Sequence, residues 1–207
     1  MKYLLRSMLF VPAYNEKFLK KAVDCEADAI IFDMEDAVPK GKRPEARAML
    51  SKYLQKGVFR GKQLFIRVNK LGTDDLPEDL KLITDDQICG IVIPKITDVG
   101  NIKAFEALLD FVENREGLEK GSLKILPLIE NAQAVINVDS IAAGSDRNIA
   151  LLFGGEDYLD SVSGTNDCPR RAFEMPRTMI VMAARTHGLL PIDTPFLDLK
   201  NEEGFIE

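Results

Sequence analysis

Two acidic positions stand at the ends of long apolar runs. Lys124–Ile129 (KILPLI) ends in Glu130, and Ile149–Phe153 (IALLF) runs through Gly154 and Gly155 into Glu156 and Asp157. Carboxylates delivered to one end of a sheet by buried strands offer hard oxygen ligands of the kind Mg²⁺ takes. Either acid of the 156/157 pair meets that requirement. Each acid also has a plainer reading, since a carboxylate at a helix start caps it or complements its dipole. Arg67 closes a third run, Gln63–Ile66. A guanidinium in so dry a place can grip a carboxylate through two parallel bonds, or form a structural pair with Glu35 or Asp36 of the neighbouring strand. Glu35 and Asp36 are therefore open to three roles: a base, an anchor for metal-bound water, or the partner of Arg67. Lys40, Lys42, Arg43 and Arg47 are grouped closely enough to hold phosphates, although solvated loops often carry such clusters.

Other chemistries are narrowed by composition. The chain has one histidine, His187, beside Gly188 at the end of a helical pattern. That position suits a cap or a core contact, and it leaves no Ser-His-Asp machine and no multi-histidine zinc site. Cys25, Cys89 and Cys168 are far apart, without metal-ligand spacing, and read as reduced thiols. A formal net charge of −6 disfavours a general binder of nucleic acid or anionic membrane. No run approaches the ~20 apolar residues of a membrane span, and no signal peptide is visible. The expectation is a cytoplasmic protein.

The elements that must position these residues follow from the pattern. Strands are expected at Met8–Pro12, Ala27–Val38 (acidic at its far end), Gln63–Asn69, Gly90–Lys95, Lys124–Ile129, Ile149–Phe153 and Leu189–Asp193. Between them lie helical stretches: one capped by Asn15, one over Pro44–Gln55, one over 74–86, and one capped by Asp98 with Ile102, Phe105, Leu109 and Val112 inward. Further helices are expected over Asn131–Ala143 and through Arg177–Thr186. Alternation of this kind means right-handed βαβ units and a parallel sheet. Seven units, with no G-x-G-x-x-G after the first strand, favour a single-domain TIM (β/α)₈ barrel over a doubly wound sheet. Barrels gather functional residues at the C-terminal ends of their strands. These ends carry Glu35, Asp36, Arg67, Asn69, Lys95, Glu130, Glu156, Asp157 and Asp193. A barrel typically needs ~250 residues, so 207 residues suggest a domain spanning 1–207 that lacks a C-terminal piece.

Six motifs stand together in order: Arg6-Ser7-Met8-Leu9-Phe10-Val11-Pro12; Phe32-Asp33-Met34-Glu35-Asp36-Ala37-Val38 with Lys42 and Ala46-Arg47; Ile66-Arg67-Val68-Asn69; Ile93-Pro94-Lys95; Pro127-Leu128-Ile129-Glu130; and Phe153-Gly154-Gly155-Glu156-Asp157-Tyr158. In these the chain resembles the citrate lyase beta subunit family, within the wider group of HpcH/HpaI-type aldolases. The resemblance implies a Mg²⁺-dependent carbon–carbon lyase acting on a thioester of a 3-hydroxy acid, such as citryl-, malyl- or citramalyl-CoA, in a TIM barrel that assembles as a homotrimer or hexamer. By motif position it implies Glu130 and Asp157 as metal ligands, with Glu130 also meeting substrate. Arg67 becomes the clamp on the substrate carboxylate, and Glu35 and Asp36 the base or the acids behind the metal's waters. Arg6, Lys42 and Arg47 become the cations that hold the CoA phosphates. The chain departs from the family in having Ala13 and Tyr14 where Gly and then a basic residue near Asn15 are usual. CoA and an acyl-carrier protein stay open as thioester carriers. A malyl-CoA thioesterase-type variant, a barrel acting on free keto acids or phosphoenolpyruvate, and a non-catalytic ligand-binding subunit are the alternatives.

Overall fold

The apolar runs become strands because each is enclosed on both faces. In a computed structural model, which describes residues 3–59, 61–164, 169–196, 198 and 200–203 (backbone alone at 169 and 170), seven strands form one parallel sheet. They are β1 (Met8–Pro12), β2 (Ala29–Asp33), β3 (Gln63–Arg67), β4 (Ile88–Ile93), β5 (Lys124–Ile129), β6 (Ala150–Phe153) and β7 (Leu190–Ile192), in spatial order β1 to β7. Every residue of β2 and of β6 is buried. Sequential order with parallel pairing makes the sheet curl in one direction. Among the described residues, β1 and β7 are its two edges.

Strand alternation divides the apolar side chains into two layers. Ala29, Ile31, Phe65, Val92, Leu126, Leu128, Ala150 and Leu152 pack together on the concave face. Ile30, Phe32, Leu64, Ile66, Ile91, Ile93, Ile125 and Ile129 face the helices. The period of two places Asp33, Arg67, Glu130 and Gly154 on the concave side as well, each two residues beyond a concave apolar residue. The upper rim of the inner layer is thus charged.

The helices are α1 (Glu16–Val23), α2 (Arg43–Gln55), α3 (Asp75–Leu80), α4 (Val99–Glu116), α5 (Ala132–Ile136), α6 (Val138–Ala142), α7 (Gly155–Ser161) and α8 (Pro169–Thr186). Asn15 caps α1 by accepting from the Lys17 N–H at 3.0 Å. Asp98 and Asn101 form a reciprocal capping box on α4, which ends at Gly117 with φ +67°. Several boundaries differ from expectation, most by one or two residues at strand ends. The helix expected over Asn131–Ala143 is two short ones, broken at Asn137, whose side-chain N–H bonds the Thr97 carbonyl at 2.8 Å. The stretch 74–86 is helical only to Leu80. β2 stops at Asp33, so Glu35 and Asp36 lie in the loop beyond it. No helix among the described residues is long and apolar enough to cross a membrane. Cys168 lies outside the described residues.

Candidate active site

Five successive strands deliver charge to the same end of the sheet. Asp33 and Arg67 are register partners on β2 and β3. The Arg67 guanidinium donates to both Asp33 oxygens, from Nε at 2.9 Å and Nη2 at 2.5 Å. Its Nη1 lies 3.5 Å from Glu35 Oε2, and the Phe10 ring centre is 5.4 Å from the guanidinium carbon. Burial works against the Arg67 charge, but Asp33, Glu35 and Glu130 outweigh it and raise its pKa further. The expected structural partners of Arg67 were Glu35 or Asp36. Glu35 is within ion-pair reach, but the principal partner is Asp33, a side chain that alternation places on the concave face.

Glu35 is 5% exposed, and its Oε2 has no hydrogen-bond partner. Burial, with Asp36 adding to it and Arg67 opposing, pushes its carboxyl up to about 7. The backbone N–H of Glu35 donates to Asp33 Oδ1 at 2.9 Å, so the acid that aligns Arg67 also shapes the loop carrying Glu35.

Glu130 follows β5 directly and is 2% exposed. Burial lifts its carboxyl to about 8, and hydrogen bonding to Asp157 pushes the same way while Lys95 opposes. Asp157 stands in the first turn of α7 and is held below the usual carboxylate range. Burial acts to raise it, and contact with Lys95 and Glu130 overcomes that. Gly154 makes room for this pair. A Cβ there would lie 2.6 Å from Glu130 Cβ and 3.1 Å from Glu130 Oε2.

Capping does not account for either acid. Asn131 caps α5 by accepting from the Ala134 N–H, and α7 starts at Gly154 with no side-chain cap. Both carboxylates turn instead toward Lys95, two residues beyond β4. The Lys95 N–H donates to Glu130 Oε1 at 2.5 Å. Its ammonium lies 2.5 Å from Asp157 Oδ2, 3.0 Å from Asp36 Oδ2 and 3.7 Å from Glu130 Oε1. Burial acts to lower the Lys95 pKa, but these acids raise it well above the ordinary value. Lys95 also holds a left-handed backbone, φ +53°, an uncommon choice for a residue with a Cβ and frequent at functional sites.

Among the described residues, no group of three or more His, Cys, Asp or Glu is placed to hold a metal ion. Mg²⁺ needs only one or two protein carboxylates, its remaining positions being filled by water or substrate oxygens. Glu130 and Asp157 supply two, in contact with each other, with an ammonium already between them. The donor set fits a hard cation.

The other expected site residues fall elsewhere. Lys42 sits on an exposed single turn, paired with Glu45 at 3.0 Å. Arg47 is enclosed by Asp75 at 2.5 Å and Asp79 at 2.8 Å, and Arg43 bonds Asp75 at 2.6 Å. Arg6 precedes β1, at the opposite end of the sheet, where it bonds Asp28 at 2.9 and 2.7 Å. The structure does not bring Arg6 to the charged rim, because the other residues follow their strands and Arg6 comes before its own. His187 pairs with Asp139 at 2.9 Å, also away from the rim. Lys95 was visible as a strand-end lysine after Ile93-Pro94, but nothing in its neighbours announced a left-handed turn.

Residues 6–207 match the family model for HpcH/HpaI aldolase/citrate lyase. The chain is 33% identical over 202 residues to citrate lyase subunit beta of Leuconostoc mesenteroides subsp. cremoris, covering 98% of this chain and 67% of that protein. To the L-malyl-CoA/beta-methylmalyl-CoA lyase of Rhodobacter capsulatus it is 30% identical, covering 98% and 70%. Among solved structures, protein CitE from Mycobacterium tuberculosis in complex with magnesium, acetoacetate and coenzyme A superposes with a TM-score of 0.72 at 26% identity, covering 95% of this chain and 68% of that one. The curled parallel sheet with its outer helices is therefore of the TIM-barrel type, and the chain belongs to the HpcH/HpaI aldolase/citrate lyase family, whose relatives named here are carbon–carbon lyases.

Proposed function

We propose that the chain is a Mg²⁺-dependent carbon–carbon lyase that cleaves a CoA-type thioester of a 3-hydroxy acid, of the citryl, malyl or citramalyl kind, or runs the reverse condensation. The observation that carries this reading is the convergence of Glu130 and Asp157 at the strand ends, with Arg67 and Glu35 on the same rim. Magnesium in the solved CitE complex and the lyase names of the relatives support it.

Bound at the carboxylates of Glu130 and Asp157, Mg²⁺ would polarise the hydroxyl and carboxylate of the substrate's keto-acid half. Arg67, held flat by Asp33, offers its remaining donors to that carboxylate and offsets negative charge as cleavage proceeds. Glu35 is the base in this reading. Its burial keeps its proton affinity near neutrality, where a carboxylate can accept a proton from a polarised hydroxyl. As that proton moves to Glu35, the hydroxyl carbon becomes a keto carbon. The electron pair of the broken bond goes to the thioester's α-carbon, and protonation of that carbon completes the acyl thioester. Schiff-base cleavage is disfavoured because Lys95, surrounded by acids, is an ammonium and not a free amine.

The exposed turn carrying Lys42 is the proposed contact for the carrier's phosphates, with Arg47 bracing α2 behind it through Asp75 and Asp79. Arg6 is left out, since it lies at the other end of the sheet. The reading includes a homotrimeric or hexameric assembly in the cytoplasm. The exposed Met175, Val181 and Met182 on α8 and Ile136 on α5 offer an apolar face for assembly.

The test is a panel of 3-hydroxyacyl thioesters, on CoA and on acyl-carrier protein, incubated with Mg²⁺ or EDTA. Release of keto acid together with the shortened thioester supports the lyase. Release of the free hydroxy acid and thiol identifies a thioesterase. No turnover, with ligand binding that survives Glu130→Ala, supports a non-catalytic subunit.

A further inference from the structure

We infer that Lys95 is a positioning residue for the divalent-cation site: its ammonium holds Glu130 and Asp157 convergent in the metal-free protein and is released toward Asp36 when Mg²⁺ binds. This rests on the Mg²⁺ reading of those two acids. Three observations carry it. The Lys95 ammonium meets acids from three different strand exits: Asp157 at 2.5 Å, Asp36 at 3.0 Å and Glu130 at 3.7 Å. The backbone N–H of the same residue donates to Glu130 Oε1. And this double engagement is made from a left-handed backbone, φ +53°, that an L-residue seldom adopts without surrounding constraint.

The physics gives the sign. Two carboxylates in contact repel one another unless a proton or cation lies between them. A hydrogen bond already joins Glu130 to Asp157. Lys95 adds a cation by tether, so the pair stays convergent when that proton is lost, as metal binding requires. A divalent ion must then compete with that ammonium for the same oxygens, and part of its binding free energy goes into the exchange. Asp36 is the acceptor for the released ammonium, because it already touches Nζ and its side chain is the most exposed of the three. Lys95 is thus a brake on metal affinity and a prop for the metal-free site, two effects of opposite sign from one side chain.

The experiment is titration of Mg²⁺ into the purified protein by calorimetry, with melting temperatures in EDTA and in saturating Mg²⁺, for wild type, Lys95→Met, Lys95→Gly and Lys95→Arg. Lys95→Gly suits the left-handed turn and keeps the N–H that faces Glu130 while removing the side chain, and Lys95→Met keeps the apolar stem while removing the ammonium. Loss of the charge is expected to tighten Mg²⁺ binding roughly two- to fivefold, the scale of one partly exposed ion pair. It should also lower the melting temperature in EDTA, with the gap to wild type narrowing in saturating Mg²⁺. Lys95→Arg should stay near wild type in both. Unchanged or weaker Mg²⁺ binding in both Lys95→Met and Lys95→Gly overturns the inference while leaving the metal site standing. A wild-type titration without Mg²⁺ binding, or binding unaffected by Glu130→Gln and Asp157→Asn, overturns the metal site itself and the inference with it.

Discussion

Gly154 lies so close to Glu130 that a Cβ at 154 would stand 2.6 Å from Glu130 Cβ. The two are neighbours because β5 and β6 are in register, Ile129 opposite Phe153, and each chain leaves the sheet one residue later. Gly154 has φ −98°, which any residue can adopt. Space, not backbone freedom, demands the glycine. Gly154→Ala should therefore fold but displace Glu130, and a misplacement near 1 Å costs on the order of 10²-fold in turnover. Steady-state kinetics beside a melting curve check this, and a variant with wild-type turnover would show that Glu130 need not be where it stands.

Arg67 and Asp33 form a buried two-bond pair across adjacent strands. Removing one partner of such a pair typically costs about 3–5 kcal/mol, because the other is left charged and uncompensated. Asp33→Asn should lower stability by that order in denaturant titrations. Arg67→Lys keeps the charge but loses the planar fork. It should fold, raise KM and lower kcat by about 10²-fold as an oxyanion-type donor does when removed.

The Glu35 carboxyl, lifted to about 7 by burial, gives a pH signature. A base must be unprotonated to act, so kcat/KM should rise with pH and level off above about 7. Glu35→Gln should flatten that rise and reduce turnover by roughly 10²–10⁴-fold. An unchanged pH–rate profile in this variant would move the base elsewhere.

At the opposite end of the sheet, Arg147 bonds Glu113 at 2.6 and 2.7 Å and Asp110 at 2.6 Å. Burial acts to raise the Glu113 pKa, but Arg147 and the N–H groups of Leu123 and Gly121 outweigh it and hold the carboxyl below its ordinary value. A depressed folded-state pKa adds stability that is present above the unfolded value, about 4.3, and is lost as pH falls through the lower folded value. Melting temperatures should drop on acidification below about pH 4. Glu113→Gln should shrink that drop and lower stability at neutral pH, leaving Mg²⁺ affinity as it is.

Much of this was legible in the residues. Buried runs such as KILPLI and IALLF read as strands of a sheet covered on both sides, and the strand ends place Glu130, Asp157 and Arg67 on one rim. Alternation within Ala29–Asp33 already put Asp33 on the Arg67 face, although Glu35 and Asp36 were the expected partners. Chain direction was enough to place Arg6, which precedes its strand, at the opposite end of the sheet from the rim. Other features depend on contacts far apart in the chain. Arg47 is tied to Asp79, 32 positions on, and the break at Asn137 comes with a bond to Thr97, 40 positions back. The left-handed turn at Lys95 comes together with contacts to Glu130, Asp157 and Asp36, and no glycine marks it.

The most direct measurement is keto-acid release from the preferred thioester as free Mg²⁺ is varied, for wild type, Glu130→Gln and Asp157→Asn. Turnover that requires Mg²⁺, stops in EDTA and falls by at least about 10²-fold in both variants is the expected result. Turnover that persists in EDTA, or that survives either substitution, would contradict a shared magnesium held by Glu130 and Asp157.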